Sequence, residues 1–274
     1  MDRKVFYNRV RGSLFGGSMT ASQVAGMEHI LDALDGQPLR WLAYSLATVH
    51  HEVGRTMQPV REGFKETDAA AREYVKRHYW TMKDGKPGYG RPDGPYGQVY
   101  YGRGFVQCTW LFNYEKASKV VGLDLVKTPD LALDPVIAAK IMRDGMEKGW
   151  FTGRKLADYI PAAVDAIAKE NVFARYVSAR RVINGQDKAE TIANYAMMYE
   201  DALTAAGYGA KAPSKPAEVP SSPPQALSSP PQPAPDPKPQ IPVVPVGEPA
   251  AIPVPPEPGF WSRFWAALTR RMKG

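Results

Sequence analysis

Cysteine is almost absent from this chain. Cys108 stands alone among 274 residues, so no disulfide can form within the chain and a cysteine-rich metal site is excluded. Histidine is nearly as scarce, at four residues. His50 and His51 adjoin Glu52, but Val53, Gly54, Arg55 and Thr56 follow, so the His-Glu-x-x-His spacing that sets two imidazoles on one helical face is not completed. His29 and His78 lack ligand spacing as well, and neither a metal nor another cofactor is expected. Long apolar runs are missing: nothing approaches the roughly 18 consecutive apolar residues of a spanning helix. The opening Met1-Asp2-Arg3-Lys4-Val5-Phe6-Tyr7-Asn8-Arg9 breaks any apolar leader core with charges and an amide. The expectation is synthesis in the cytoplasm without a cleaved leader.

What is present is distributed unevenly. Eighteen of the 26 prolines fall between Pro213 and Pro258, dividing the chain into a body at 1–210, a Pro-rich linker at 211–259 and a short tail at 260–274. The body holds most of the apolar and aromatic content and is long enough to bury a sizeable core. The net charge of +7 comes from a mildly basic body and from a tail with Arg263, Arg270, Arg271 and Lys273 but no acid. Such a balance suits an anionic polymer or an anionic membrane and selects neither. The linker composition reads as a disordered or polyproline-II tether. In the tail, Phe260, Trp261, Phe264, Trp265, Leu268 and Met272 share one side of a helical wheel. Arg263, Arg270 and Lys273 lie opposite and Arg271 intrudes, a pattern suited to a membrane interface or to docking on protein.

Within the body the periodicity is helical. Phe6, Val10, Leu14 and Phe15 precede a Gly16-Gly17 stop. Thr20 or Ser22 caps a second helix through Met27, Ile30, Leu31 and Leu34 to Gly36. Pro38 opens a third in which Trp41, Leu42, Leu46, Val49 and Val53 form an apolar face. Glu52 lies at the rim of that face, where partial desolvation would raise its pKa. Residues 54–66 read as loop, 67–79 as a polar helix and 83–97 as turns. Helices resume over 113–121, 135–149, 156–169, 173–183 and 188–206. The class is mainly α.

One stretch stands out: Tyr100-Tyr101-Gly102-Arg103-Gly104-Phe105-Val106-Gln107-Cys108-Thr109-Trp110. Two glycines flank an arginine, and strand-like alternation would put Gln107 and Thr109 on one face and Val106 and Cys108 on the other. On that pattern Cys108 is a packing residue rather than a nucleophile. Together with His51-Glu52, this run resembles the Tyr-Gly-Arg-Gly-x-x-Gln-x-Thr-Trp signature of glycoside hydrolase family 19, the chitinase-like enzymes that include many phage endolysins. Phe105 and Cys108 depart from the family's usual residues, and the stretch at 63–97 does not align clearly.

The resemblance implies a bilobal, lysozyme-like helical domain with a small β or loop element. It also implies hydrolysis of β-1,4 glycosidic bonds by inversion, which uses an acid and a base about 6.5–9.5 Å apart. Glu52 takes the acid's place. Glu62, bracketed by Pro59 and Gly63, takes the base's, with Arg61 expected to keep it ionised; Glu66 is its rival, and Glu73 reads as a solvated helix residue. Thr109 is implied to hold the attacking water and Gln107 to position sugar. Tyr101 and Trp110 are candidates for stacking on sugar rings. Asn113 matches the family's Thr-Trp-x-x-Asn-Tyr continuation, and Arg181 and Asn184 match its Ile-Asn-Gly turn. The expected substrate is the peptidoglycan glycan strand, reached in the wall or periplasm after release from the cytoplasm. Chitin is the enzymatic alternative, and an inactive wall-binding or virion structural module the alternative of another class. The tail adds a possible anionic-membrane contact, and no nucleic-acid partner is expected.

Overall fold

The computed structural model describes residues 1–209 apart from Val164, Asp165 and Ile167, so the expected tether and tail lie outside the described residues. Eight helices are described: α1 (Arg3–Leu14), α2 (Ala21–Ala33), α3 (Leu39–Glu52), α4 (Asp68–Tyr79), α5 (Leu111–Val121), α6 (Pro135–Lys148), α7 (Val172–Ala179) and α8 (Ala189–Ala205). Two short strands, β1 (Val60–Arg61) and β2 (Arg103–Gly104), pair antiparallel. The mainly α expectation holds. No helix among the described residues is long and apolar enough to cross a membrane.

Helix starts follow side-chain chemistry. Of the two candidate caps for α2 the structure uses Thr20, whose hydroxyl accepts from the Gln23 amide at 3.1 Å while the Gln23 side chain accepts from the Thr20 amide at 2.8 Å. Each such cap is worth about 1 kcal/mol. Asp134 caps α6 by accepting from Val136 and Ile137, with Pro135 in the first turn, where a missing N–H costs nothing. Among the described residues of 156–169 there is no α-helix where one is expected; Leu156–Asp158 and Lys169–Asn171 form 3-10 turns. Pro161 explains this, since it lacks a donor and pushes Ile160 away from helical geometry. The segment is instead pinned by the Trp41 indole donating to Ile160 O at 2.7 Å.

Helix α3 runs through the middle of the largest apolar core, with every residue from Leu42 to His50 buried. It packs against α8, which also contacts α1 and α7. Glu200 on α8 ties α3 and α7 to it, accepting from Arg40 at 2.9 Å and from the Tyr176 hydroxyl at 2.6 Å. Two smaller clusters lie elsewhere, one built on Ala71, Val75, Tyr79, Tyr89, Val99 and Tyr101, the other around Tyr114 and Cys108. Burial pushes the Cys108 thiol up to about 12, which leaves it an inert packing group.

His50 shows how polar groups enter this core. Its Nδ1 lies 3.0 Å from the Tyr199 hydroxyl, and the ring packs on Phe15 and Tyr195. Burial, helped by the charges of Arg55 and His51, pushes its pKa down to about 3. The folded protein therefore keeps His50 neutral while the unfolded chain takes up a proton below about pH 6.5. Stability is full above that pH and falls as pH drops toward 3. Between pH 7 and pH 5 the loss from His50 is about 2 kcal/mol. His50→Phe is expected to flatten the pH dependence of chemical denaturation by that amount; an unchanged slope would refute the assignment.

Candidate active site

Glu52 is the last residue of α3, so its side chain leaves the buried helix at the point where the chain turns away. It is buried, and its Oε1 accepts from Arg180 Nη1 at 2.6 Å. Arg180 is itself fully buried and donates through Nε to Asp187 O at 3.0 Å. The other atoms of this pair, Glu52 Oε2 and Arg180 Nη2, have no hydrogen-bond partner among the described residues, and neither has Asn184 Nδ2. Buried polar atoms left in that state are what a polar ligand or ordered water satisfies. Asn184 Oδ1 accepts from the Gly185 amide.

Arg180 is the functional residue that sequence reasoning missed. The neighbouring Arg181 was the expectation, but it is exposed and reaches only Ser178 O, at 3.4 Å. The signal was available: Val172, Tyr176 and Arg180 recur every four residues and are all buried, so the inward arginine continues the inward face of α7.

Glu62 follows β1 and is held by the signature run from the other side. Its amide donates to Gly102 O at 2.8 Å, and the Gly102 amide donates back to Glu62 Oε2 at 2.9 Å. The Tyr89 hydroxyl donates to Oε1 at 2.6 Å. Burial pushes the Glu62 carboxyl up to about 7, against the pull of these hydrogen bonds and of Arg103. Here the electrostatic expectation is corrected. Arg61 does not hold Glu62 ionised; it points away, donating to Asp130 at 2.7 Å and to Glu66 O at 2.9 Å. Both carboxyls are buried, but Glu62 is held by a tyrosine hydroxyl and a backbone amide whereas Glu52 is paired with an arginine. Glu66 and Glu73 are both exposed, and Glu73 is paired with Arg77.

The signature is a tight hairpin rather than an alternating strand. Arg103 and Cys108 exchange two backbone hydrogen bonds around a turn at Phe105–Gln107, so Phe105 through Thr109 are all buried and the expected two faces do not exist. Gly104, at φ 89°, permits the reversal. Gly102 is needed for closeness, since a Cβ there would stand 2.7 Å from Gln107 Oε1. The Gln107 amide then clamps the sheet, donating to Val60 O at 3.0 Å and Gly104 O at 3.3 Å. Thr109 donates to Gln107 O at 2.8 Å, and Asn113, fully buried, donates to Thr109 O at 2.9 Å, so both hold the hairpin's exit.

The two aromatic candidates part company. Tyr101 is fully buried, its hydroxyl donating to Asp68 at 2.7 Å and its ring covered by the Arg103 guanidinium at 3.5 Å. That ring is a packing surface and not a platform for sugar. Trp110 stays partly exposed, packs T-shaped against Tyr89, and with Tyr89, Arg91 and Leu111 lines a cavity of about 170 Å³. The structure thus forms two groups. One gathers Glu52, Arg180 and Asn184; the other gathers Glu62, Tyr89, the signature hairpin and Trp110, and residues 53–61 connect them. Strain concentrates in the same segments: Arg55, Met57, Phe64, Gln107 and Trp110 all have positive φ. Non-glycine residues held in this way cost about 1–3 kcal/mol each and cluster at functional sites. No group of His, Cys, Asp and Glu among the described residues could hold a metal ion.

Residues 63–186 match the family model described as chitinase class I. Over that segment the chain is similar to the chitinases of glycoside hydrolase family 19. Within the matched segment fall Thr109, Trp110, Asn113, Arg180 and Asn184, whereas Glu52 and Glu62 lie ahead of it, so the placement of both carboxylates rests on the geometry above. Among curated relatives, endochitinase B of Nicotiana tabacum is 38% identical over 73 residues, covering 24% of this chain and 22% of that protein. Endochitinase A2 of Pisum sativum is 49% identical over 45 residues, 16% of this chain and 14% of that protein. The chain therefore spans less than a quarter of the length of these relatives. Among solved structures, chitinase C of Streptomyces griseus HUT6037 aligns with a TM-score of 0.44 at 20% identity, covering 75% of this chain and 76% of that one.

Proposed function

We propose that this protein is a family 19 enzyme that hydrolyses β-1,4 glycosidic bonds of an N-acetylhexosamine polymer by inversion, with Glu52 as general acid and Glu62 as general base. The observation that carries the reading is the contrast between two buried carboxylates. Glu52 has one oxygen against Arg180 and one without a hydrogen-bond partner among the described residues, so Oε2 is the atom left to meet a glycosidic oxygen. Both Glu62 oxygens accept hydrogen bonds, which suits a carboxylate, and its raised pKa makes it a strong base once ionised. Trp110 beside its cavity supplies a stacking surface, and the unpartnered Asn184 amide a donor for a sugar oxygen.

Thr109 is the proposed holder of the attacking water. Its hydroxyl already donates to Gln107 O, which leaves its oxygen free to accept from that water. Thr109→Val keeps the shape and removes the hydroxyl. It is expected to lower kcat by roughly tenfold, with KM little changed, as loss of an orienting contact does. An unchanged kcat removes Thr109 from the mechanism.

The proposed substrate is the peptidoglycan strand, favoured by the resemblance to endolysins and the basic tail. Incubating the full chain with purified peptidoglycan and, separately, with chitin, followed by mass spectrometry of the released ends, tests this. Muropeptides released from peptidoglycan support it. Release from chitin alone makes the protein a chitinase, and release from neither ends the enzymatic reading in favour of a binding module. For the tail, the cation-rich amphipathic pattern supports contact with anionic membrane. Deleting 260–274 is expected to abolish co-sedimentation with anionic vesicles at low salt while leaving hydrolysis of isolated substrate unchanged. Equal sedimentation of both chains would refute it.

A further inference from the structure

In the β1–β2 register Arg61 stands directly opposite Arg103. Two like charges in that position repel and weaken a ladder of only two residue pairs. One carboxylate resolves the conflict. Asp130, from the 3-10 turn at Pro129–Leu133, accepts from Arg61 Nη2 through Oδ2 and from Arg103 Nε through Oδ1, both at 2.7 Å. Arg103 is further fixed by Asp68 at 3.1 Å, which also takes Arg72. The residues immediately beyond this charged rung are Glu62 on one strand and Gly102 on the other, the pair that exchanges two hydrogen bonds.

We propose that Asp130 is a positioning residue for Glu62: by bridging the cross-strand arginines it holds the Glu62–Gly102 pair in register and balances the cation that faces the Glu62 carboxylate. This rests on Glu62 as the proton-accepting group. The groups that face Glu62 are Tyr74 and Tyr79 from α4, Tyr89 from the turn region, the Gly102 amide and Arg103 from β2, so Arg103 is the cation among them. Asp130 acts on Glu62 through that arginine.

Asp130→Asn keeps the side-chain shape but leaves the two arginines opposed and Arg103 less compensated. A less compensated cation favours the Glu62 carboxylate, and a loosened hairpin hydrates it, so both effects lower its pKa. The full-length variant is expected to show kcat reduced about tenfold with KM nearly unchanged, and the limb of the pH–rate profile belonging to Glu62 moved toward acid by roughly half to one unit. A second reading of Glu62 needs no turnover: the pH dependence of thermal stability, compared between chains with and without Glu62→Gln, reports the same pKa in the Asp130→Asn background. If Asp130→Asn does not fold, Arg61→Gln/Asp130→Asn, in which the repulsion is gone, is read in the same way. A lowered melting temperature with kcat and the Glu62 pKa both at wild-type values overturns the proposal and leaves Asp130 a structural clamp. Should the wild type not hydrolyse any glycan, the proposed function fails, while the melting comparison still decides whether Asp130 sets the Glu62 pKa.

Discussion

Glu62→Gln is expected to lose between about 10²- and 10⁴-fold in kcat, the usual worth of a general base, and yet to gain stability at alkaline pH. The carboxyl is pushed up to about 7 in the folded protein and returns to its ordinary range when the chain unfolds. With the folded pKa above the unfolded one, its contribution to stability is fully present below about pH 4.5 and is lost as pH rises through 7. Keeping the charge buried above pH 7 thus costs about 3 kcal/mol. Gln carries no charge, so the variant is expected to match wild type near pH 4 and to exceed it by up to that amount at pH 8. The pH–rate profile separates the roles as well. If Glu62 is the base, kcat/KM rises with pH through about 7 as it ionises; if it were the acid, activity would fall through the same region. A falling limb would exchange the roles of Glu52 and Glu62.

Glu52→Gln is expected to be as damaging to kcat and, unlike Glu62→Gln, destabilising. Arg180 is fully buried and Glu52 is its carboxylate partner at 2.6 Å. Removing one member of such a pair strands the other charge and typically costs about 3–5 kcal/mol. Loss of activity through unfolding would therefore have to be separated from loss of chemistry. Glu52→Gln/Arg180→Met removes both charges and is expected to regain much of the stability while staying inactive. A folded Glu52 variant with more than about a tenth of wild-type kcat would end its assignment as acid.

The helices were legible because their signals are local. Thr20 with Gln23, Asp134 with Pro135, and the spacing of Phe6, Val10 and Leu14 each specify an end or a face without help from distant residues. The absence of an α-helix among the described residues of 156–169 is local too: Pro161 outweighs an apolar pattern that alone reads as helix. The candidate site was half legible. The signature and His51-Glu52 point to Glu52, Glu62, Thr109 and Trp110 as candidates, but the electrostatics of the two carboxyls depend on partners far along the chain. Arg180 is 128 residues from Glu52, and Asp130 draws Arg61 away from the glutamate beside it. The hairpin at Arg103–Cys108 departs from the expected strand because Gly104 and a positive φ at Gln107 fold back a run whose composition reads as extended.

The most direct test of the central claim, that Glu52 and Glu62 act as an inverting acid–base pair, is the configuration of the first product. Proton NMR of the anomeric region during early hydrolysis of a soluble β-1,4-linked N-acetylhexosamine oligomer by the full chain resolves it. The account predicts that the new reducing end appears first as the α-anomer and only later mutarotates. A β-anomer at the earliest times would mean retention through a covalent or substrate-assisted intermediate and would contradict it.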